Sequence, residues 1–319
     1  MDADGRVARE CPDVACSPGY FKVKPGTGVP DGQEHAYCPY CRQEAGPDGF
    51  ATKEQARYAE ELLMREVHQG VDDMVRDALG LGHSGKRKFG GSFISMEMSM
   101  QSAPLPYVRP PFEDEVRRDV VCPHCTLDQT VFGLAAWCAD CGADIFLTHV
   151  AAELSVTRSM VGDIDRRRET LGRRVAAKDL ENCLEDAVSL FEAALKALAR
   201  RWLNGREEAA DAVESRLRKI GNKFQSIPLT QEVLAEVFSL GPLPEVPWSD
   251  LNAAFEKRHP ITHNLGVIDR KYLERAQVGG LPGREVRITA AEVNSLLSNV
   301  LTTVGAVHMA LFPADSAET

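Results

Sequence analysis

The sequence predicts a multidomain α+β protein in which small β modules precede an all-α helical bundle. Eight of the nine cysteines fall into two sets of four within the first 141 residues. From residue 151 onward, apolar residues recur at helical spacing instead. The chain has 319 residues, of which 44% are hydrophobic, so it is long enough to bury a sizeable core in the second region.

The second cysteine set has the more regular spacing, because Cys122, Cys125, Cys138 and Cys141 form two C-x2-C pairs. Two thiolates three positions apart on a tight turn can bind one tetrahedral Zn²⁺, and a hairpin can return the second pair to the same ion. The spacing predicts a structural zinc ribbon over residues 117–150. His124 is interpreted as a surface histidine, since four thiolates already complete the coordination, and His149 is interpreted as structural.

The first cysteine set is looser and predicts a zinc-ribbon-like module over residues 1–50. Its ligands would be the CPYC pair, together with a less usual C-x4-C pair, and the full set is Cys11, Cys16, Cys38 and Cys41. His35 is an alternative ligand in place of Cys11 or Cys16. Both sites have four protein ligands and no open position, which favours structural rather than catalytic zinc.

Between the two cysteine sets, the sequence predicts a helix and a linker. Residues 51–83 read as a helix that begins with a Thr52–Gln55 capping box and carries an apolar face including Val67 and Val71. Residues 84–116 are rich in glycine and proline and include one candidate strand, SFISMEMSMQ.

The region 151–315 is predicted to be a helical bundle. Helices are expected over 152–174, 179–203, 206–220 and 230–240, and from Ser249 toward Arg258. Thr289 and Glu292 form a capping box that starts a final helix. The helix at 179–203 has one buried stripe, made by Leu180, Leu184, Ala187, Phe191, Leu195, Leu198 and Trp202. Cys183 lies beside this stripe and is interpreted as a buried apolar residue.

The charge distribution and the hydropathy limit the class of protein. The net charge is −10, with −8 in residues 1–150 and −2 in residues 151–319, which disfavours a general polyanion binder. No apolar run reaches the ~18 residues of a membrane span, and the N-terminus lacks a signal peptide. We expect a soluble, cytoplasmic protein, in which reduced cysteines bind metal rather than form disulfides.

The stretch FEKRHPITHN concentrates polar side chains around Pro260: Arg258, His259, His263 and Asn264. On a regular helix, residues five apart point about 140° away from each other. Pro260 is expected to kink the helix, or to start a new helix after a break at His259, and so to bring Arg258 toward His263. In the structural alternative, these residues only cap the helix and close the turn before Gly266.

The spacing of Arg258 and His263 resembles the R-x4-6-H signature of the HEPN superfamily, whose all-α domains often act as RNases. The segments KFQSIPLT, RHPITHNLGVIDRKYLERA and ITAAEVNSLLSNVL are similar to those of a group of bacterial HEPN-type proteins. The resemblance covers about residues 175–312. It implies a homodimer formed through the helical domain, and a role as a toxin or phage-defence effector.

On this resemblance, RNA is the substrate and its 2′-OH attacks the adjacent phosphate without a catalytic metal. His263 would transfer the proton and Arg258 would clamp the phosphate, because imidazole can exchange protons near neutral pH and guanidinium binds phosphate bidentately. His259 and Asn264 would position the substrate or His263. Additional substrate contacts are expected from Lys257, Arg270 and Lys271.

Two points stay open at the level of the sequence. Glu185 or Glu192 could supply an acidic member of the site. The zinc ribbons could bind nucleic acid or a protein partner, or could restrain the nuclease. The alternative function is a non-catalytic adaptor, in which the ribbons and the bundle bind nucleic acid or a protein partner.

Overall fold

The computed structural model describes residues 1–30, 33–81, 86–90, 95–101, 104–105, 107–111, 115, 118–206, 210–276 and 281–313. Small antiparallel β-sheets occupy the N-terminal part, and helices follow, as the α+β prediction requires. Among the described residues, no helix is both long and apolar enough to cross a membrane.

The β region contains short strands and one long helix. Its elements are β1 (Val7–Glu10), β2 (Tyr20–Val23), β3 (Ala36–Tyr37), β4 (Glu44–Ala45), a 3-10 turn (Pro47–Phe50), α1 (Lys53–Ala78), β5 (Lys86–Gly90), β6 (Ser95–Ser99), β7 (Arg118–Val121) and β8 (Asp128–Val131). β6 lies within the predicted strand SFISMEMSMQ, and residues 92–94 of that prediction lie outside the described residues.

Two strands of each cysteine module form one sheet, with the order β1-β2-β8-β7, while β3 and β4 form a separate two-stranded sheet. Its central pair is antiparallel and places Phe21 opposite Val131. Both side chains are buried, together with Phe50 and Val120, in a small core that also contains most of the cysteines. The two modules therefore share a sheet and a core, although β2 ends at residue 23 and β7 begins only at residue 118.

The capping box of α1 is present: the Thr52 side chain accepts from the Gln55 N–H, and the Gln55 side chain accepts from the Thr52 N–H. The apolar face predicted for this helix is not covered, because no residue of α1 is buried. Val67 and Val71 are exposed.

The helical region follows as predicted in kind, with different bounds. Its elements are α2 (Phe146–Gly162), α3 (Ile164–Leu171), α4 (Arg173–Asn204), α5 (Ala210–Ile220), a 3-10 turn (Lys223–Gln225), α6 (Ile227–Glu236), α7 (Trp248–Asn264), α8 (Arg270–Ala276) and α9 (Ala290–Leu311). The helix expected over 152–174 is two helices that meet at Asp163. The short α8 was not predicted, and residues 207–209 and 314–315 of the predicted bundle lie outside the described part.

α4 lies at the centre of the bundle, and α2, α3 and α9 pack against it. The predicted stripe of α4 is buried from Leu180 to Leu198, while Trp202 is half-buried against Phe238. Cys183 is fully buried, in agreement with its interpretation as an apolar core residue.

α7 is continuous through Pro260, so the break expected at His259 is wrong. Proline removes one helical hydrogen bond, but burial of Leu251, Phe255 and Ile261 on either side holds the segment helical. The helix ends at Leu265, whose φ of 51° is left-handed, and the Gly266 N–H donates to the Pro260 carbonyl at 2.8 Å.

Arg201 of α4 joins the second cysteine module to the bundle. Its guanidinium donates to Asp144 at 2.6 Å and lies 4.2 Å from the Trp137 ring centroid and 4.0 Å from that of Phe312. The His308 ring of α9 contacts the same Asp144 oxygen at 3.2 Å. Burial opposes ionisation of Asp144, but hydrogen bonds from His308, the Phe146 N–H and Arg201 lower its pKa to about 2.

Asp144→Asn is expected to lower the free energy of unfolding by about 2 kcal/mol, because it removes a charged acceptor from Arg201. A carboxyl group with a lowered pKa stabilises the fold above its ordinary value near 4, and this contribution is lost only as the pH falls toward 2. Urea unfolding should therefore give the same loss at pH ~7 and pH ~5.5. The exposed ion pair of Asp165 with Arg168 supplies the control Asp165→Asn, which should change little. An equal loss in both variants would contradict a special role for the junction.

Candidate functional site

The cysteines of each set converge, so that two tetracysteine groups could hold metal ions. The Sγ–Sγ distances are 3.8 Å for Cys122–Cys141 and 3.4 Å for Cys125–Cys138. In the first group, Cys11–Cys41 and Cys16–Cys38 are both 3.7 Å apart. Four sulfurs at ~2.3 Å from one tetrahedral ion lie about 3.8 Å from each other, so both groups have suitable dimensions.

Three of the four cysteine pairs use one backbone turn. In each C-x2-C pair the first cysteine N–H donates to the carbonyl five residues later, and its carbonyl accepts from the N–H four residues later. The Cys38 N–H donates to the Gln43 carbonyl, the Cys122 N–H to the Leu127 carbonyl and the Cys138 N–H to the Ala143 carbonyl, each at 2.9 Å. This turn points both thiols of a pair to the same side, which explains why the C-x2-C spacing predicts the site.

The residue after each C-x2-C pair is left-handed, with φ between 64° and 66° at Arg42, Thr126 and Gly142. Only Gly142 is a glycine, and a Cβ there would lie 3.0 Å from the Tyr37 ring. Glycine is therefore favoured at position 142 for two reasons: a side chain would crowd the Tyr37 ring, and the backbone φ is left-handed.

The first pair, Cys11 and Cys16, belongs to the first group even though its turn is different. His35 does not replace either cysteine, because its Nδ1 lies 2.9 Å from Glu44 and outside the group. His124 and His149 also lie outside the groups. His149 is fully buried, and its Nδ1 accepts from the Ala135 N–H at 2.8 Å, which is a structural role.

A separate cavity of about 660 Å³ lies beside α7. Three of the predicted catalytic residues line it: Arg258, His259 and His263. The 3-10 turn before α6 contributes Gln225, and α8 contributes Arg275. Because 100° separates successive helical residues, Arg258 and His263 leave α7 about 140° apart, and His259 points closer to His263 than to Arg258.

The two histidines are neighbours on one helical face, four residues apart, with ring centroids 5.0 Å from each other. Pro260 does not create this arrangement, since it follows from regular helical spacing. His259 is therefore as well placed toward the cavity as His263 is.

A polar chain that begins with Gln225 in the cavity lining holds Arg258. The Arg258 Nη1 donates to Gln225 Oε1 at 3.0 Å, and Gln225 Nε2 donates to Glu192 Oε2 at 2.7 Å. The other Glu192 oxygen accepts from Lys196 at 2.6 Å. Since a carboxylate can only accept, it turns the amide oxygen of Gln225 toward Arg258. Glu192 is one of the acidic candidates predicted from the sequence, whereas Gln225 belongs to no sequence motif and was not predicted.

Glu185, the other acidic candidate, accepts from the Thr262 hydroxyl at 3.0 Å. Thr262 also lines the cavity. Each of the two acidic candidates of α4 therefore contacts the cavity lining through a hydrogen bond with an uncharged residue.

The remaining predicted residues lie elsewhere. Asn264 donates to Asp269 at 3.1 Å and does not line the cavity. The Tyr272 N–H and then Asn264 lower the pKa of Asp269. Lys257 lies on the opposite side of α7, where it pairs with Glu292. Arg270 and Lys271 are exposed at the start of α8, outside the cavity lining.

No protein-family model, curated protein or solved structure matches this chain. The proposals below therefore rest on the amino-acid sequence and on the geometry of the described residues.

Purified protein is expected to contain two metal ions per chain, one for each tetracysteine group. Cys138→Ser should reduce the content to one, because a hydroxyl is a poor replacement for a thiolate ligand. Cys183→Ser is the matched control, since this buried cysteine lies outside both groups and should leave the content at two. Elemental analysis of the purified proteins measures this, and equal metal content in wild type and Cys138→Ser would contradict the assignment.

Proposed function

We propose that this protein is an HEPN-type endoribonuclease whose active site is the cavity beside α7. The observation that carries the proposal is that Arg258, His259 and His263 line one cavity of about 660 Å³. A cation and two imidazoles on one surface supply the groups that cleavage of a phosphodiester requires. The amino-acid pattern R-x4-H supports the same class of reaction.

In the proposed reaction the 2′-oxygen attacks the adjacent phosphorus, a 2′-O–P bond forms, and the P–O5′ bond breaks. One imidazole accepts the 2′-OH proton, and a protonated imidazole donates a proton to the leaving 5′-oxygen. His263 transfers one of these two protons. His259, whose ring centroid lies 5.0 Å from that of His263, either positions the substrate or transfers the second proton. Arg258 binds the phosphate oxygens as negative charge develops. The products are a 2′,3′-cyclic phosphate and a 5′-hydroxyl.

In this proposal the two tetracysteine groups bind Zn²⁺ in a structural role. Four thiolates per ion fit zinc, and they leave no open coordination position for a substrate. Zinc would cross-link strands that are only two to four residues long. The cavity itself is lined by His259, His263, Glu256 and Glu274, but the described residues contain no metal-ligand group there.

The resemblance to the HEPN superfamily extends the proposal to a cytoplasmic bacterial homodimer that acts as a toxin or phage-defence effector. In such a dimer the helical domains would bring two cavities together around one RNA. The zinc modules would bind RNA or a protein partner, or would restrain the nuclease.

The second candidate function is a non-catalytic adaptor that binds nucleic acid or a protein. It is favoured by one observation: Arg258 already donates to Gln225 at 3.0 Å, as a structural arginine would. In the adaptor the chain Lys196–Glu192–Gln225–Arg258 serves only to fix α7 to α4.

We expect purified wild type to cleave bacterial RNA in buffer without Mg²⁺ and to leave 2′,3′-cyclic phosphate ends. His263→Ala should reduce the rate by about 100-fold or more, because it removes a proton-transfer group. His68→Ala, which removes an exposed histidine of α1, is the matched control and should retain full activity. Growth of bacteria that express each variant gives the parallel readout.

The adaptor is favoured if wild type neither degrades RNA nor slows growth. If wild type and His263→Ala are equally toxic, His263 is not the catalytic residue. Folding is checked in every variant by metal content and thermal unfolding, so that loss of activity is not confused with loss of structure.

Gln225→Leu is expected to lower cleavage by about tenfold, since Arg258 loses the acceptor that orients its guanidinium. The effect should be strongly non-additive with Arg258→Ala, because both changes remove one interaction. A double-mutant cycle on the cleavage rate measures the coupling. Additive effects would show that Gln225 does not act through Arg258. Gln43→Leu, which alters an exposed glutamine of the β region, is the matched control.

A further inference from the structure

A second cavity, of about 670 Å³, lies between the cysteine modules and the helical bundle. We define it as the junction cavity. α4 lines it over about three turns, from Ala193 to Asn204, while Arg42 comes from the first cysteine module and Trp137 from the second. Among the described residues, none lines both this cavity and the one beside α7. Its volume lies in the range of small-molecule binding sites.

The charged side chains that line the junction cavity are all cations: Arg42, Lys196, Arg200 and Arg201. Within the described part of the chain, no aspartate or glutamate lines it. In a protein with a net charge of −10, this lining is a local exception. A concave surface that gathers charges of one sign concentrates ions of the other sign, so the cavity favours an anionic ligand.

Three of these cations are paired with carboxylates that lie outside the lining. The pairs are Lys196 with Glu192, Arg200 with Glu214 and Arg201 with Asp144. Arg42 is exposed and forms no ion pair with another described residue; its guanidinium carbon instead lies 4.6 Å from the Trp137 ring centroid. The excess positive charge of the lining is therefore the charge of Arg42.

The Trp137 ring orients two of the guanidiniums. The guanidinium carbon of Arg201 lies 4.2 Å from the same centroid, so Arg42 and Arg201 share one ring. Contact with an aromatic ring fixes the plane of a guanidinium and leaves the N–H groups at its edge able to donate. Arg201 uses Nη1 for Asp144, and its other nitrogens remain as donors. Two oriented guanidiniums fit the oxygens of a phosphate group, which arginine binds bidentately.

The uncharged part of the lining indicates what carries the phosphate. Leu134, Ala136, Ala197 and Leu217 form apolar walls, and Asn204 adds an amide that can both donate and accept. A nucleobase has an apolar face for such walls and a polar edge for such an amide.

The open side of the cavity argues against an acyl chain. Arg42, Ala193, Arg200 and Asn204 are exposed, so this side of a ligand stays in contact with water. An acyl chain would leave apolar surface in water, at a cost that grows with the exposed area. A nucleoside tolerates the same exposure, because water satisfies its hydroxyl groups and its ring nitrogens.

We propose that the junction cavity binds a nucleoside monophosphate. Arg42 and Arg201 hold the phosphate, and the base packs between α4 and the second cysteine module. A ligand of about 20 non-hydrogen atoms is expected to bind with a dissociation constant on the order of 10 µM. The site does not depend on RNA cleavage, because its lining is separate from the cavity beside α7.

The test is isothermal titration calorimetry of adenosine 5′-monophosphate into the metal-loaded full chain without RNA. Arg42→Gln removes the unpaired guanidinium and should raise the dissociation constant by at least about tenfold. Ala197→Phe fills the cavity without changing its charge and should raise it by at least as much. Arg173→Gln removes an exposed arginine at the other end of α4, outside the lining, and should leave it unchanged.

A further variant separates this site from the cavity beside α7, which would itself hold a phosphate if the proposed function is correct. Arg258→Ala removes the phosphate clamp of that cavity, and the titrations are repeated in this background. The affinity and the effect of Arg42→Gln should both persist. Binding that Arg258→Ala abolishes and Arg42→Gln leaves intact would overturn the junction site and support the proposed function. Binding that depends on Arg42 in a chain that does not cleave RNA would give the opposite result.

Three other ligands test the chemical class: adenosine, inorganic phosphate and decanoate. Each should bind at least about tenfold more weakly than adenosine 5′-monophosphate. Equal binding of adenosine would show that the arginines contribute nothing, and equal binding of inorganic phosphate would show the same of the apolar walls. Equal binding of decanoate would make the occupant a fatty acid. Any of these results would overturn the proposal, as would wild type that does not bind the nucleotide. Circular dichroism and metal content verify the fold of each variant.

Discussion

The pairing of β2 with β8 is the contact on which the N-terminal region depends. Strands of two to four residues are too short to be stable as isolated hairpins, and each tetracysteine group has only a few apolar residues around it. By placing Phe21 opposite Val131, the pairing merges the two modules into one sheet with one core. The two tetracysteine groups then lie within a single unit that is large enough to bury aromatic side chains.

The same logic extends to the helical region, where α4 supports two separate surfaces. Its Arg201 end is fixed to the cysteine module through Asp144, and its middle holds Gln225 and hence Arg258 through Glu192. Because α4 is a single continuous helix, the module and the cavity are attached to one rigid element. A disturbance at the junction can reach the cavity through this helix, and also through α9, whose His308 contacts Asp144 and which packs against α7.

Local patterns in the sequence predicted local features of the structure. The C-x2-C turns, the two capping boxes and the buried stripe of α4 each depend on contacts between residues that are only a few positions apart in the sequence. The β2–β8 pairing and the hydrogen bonds of Gln225 involve residues that are far apart in the sequence, and no sequence motif predicts these contacts. Pro260 misled the prediction because the local cost of proline was weighed without the burial of Phe255 and Ile261, which outweighs it. The exposure of the apolar face of α1 was not predicted for a similar reason. Periodicity shows that a helix has an apolar face, but it does not show whether another part of the protein covers that face.

The shared sheet also changes how the segment between the modules should be understood. Since β2 and β8 are neighbours, the chain leaves this sheet after β2 and re-enters it at β7, and α1 lies between those two points. The entropy of closing a loop grows only slowly with its length, so such an excursion can gain, lose or exchange residues with little effect on the sheet. The sequence of this segment can therefore vary without changing the geometry of the cysteine modules and the bundle.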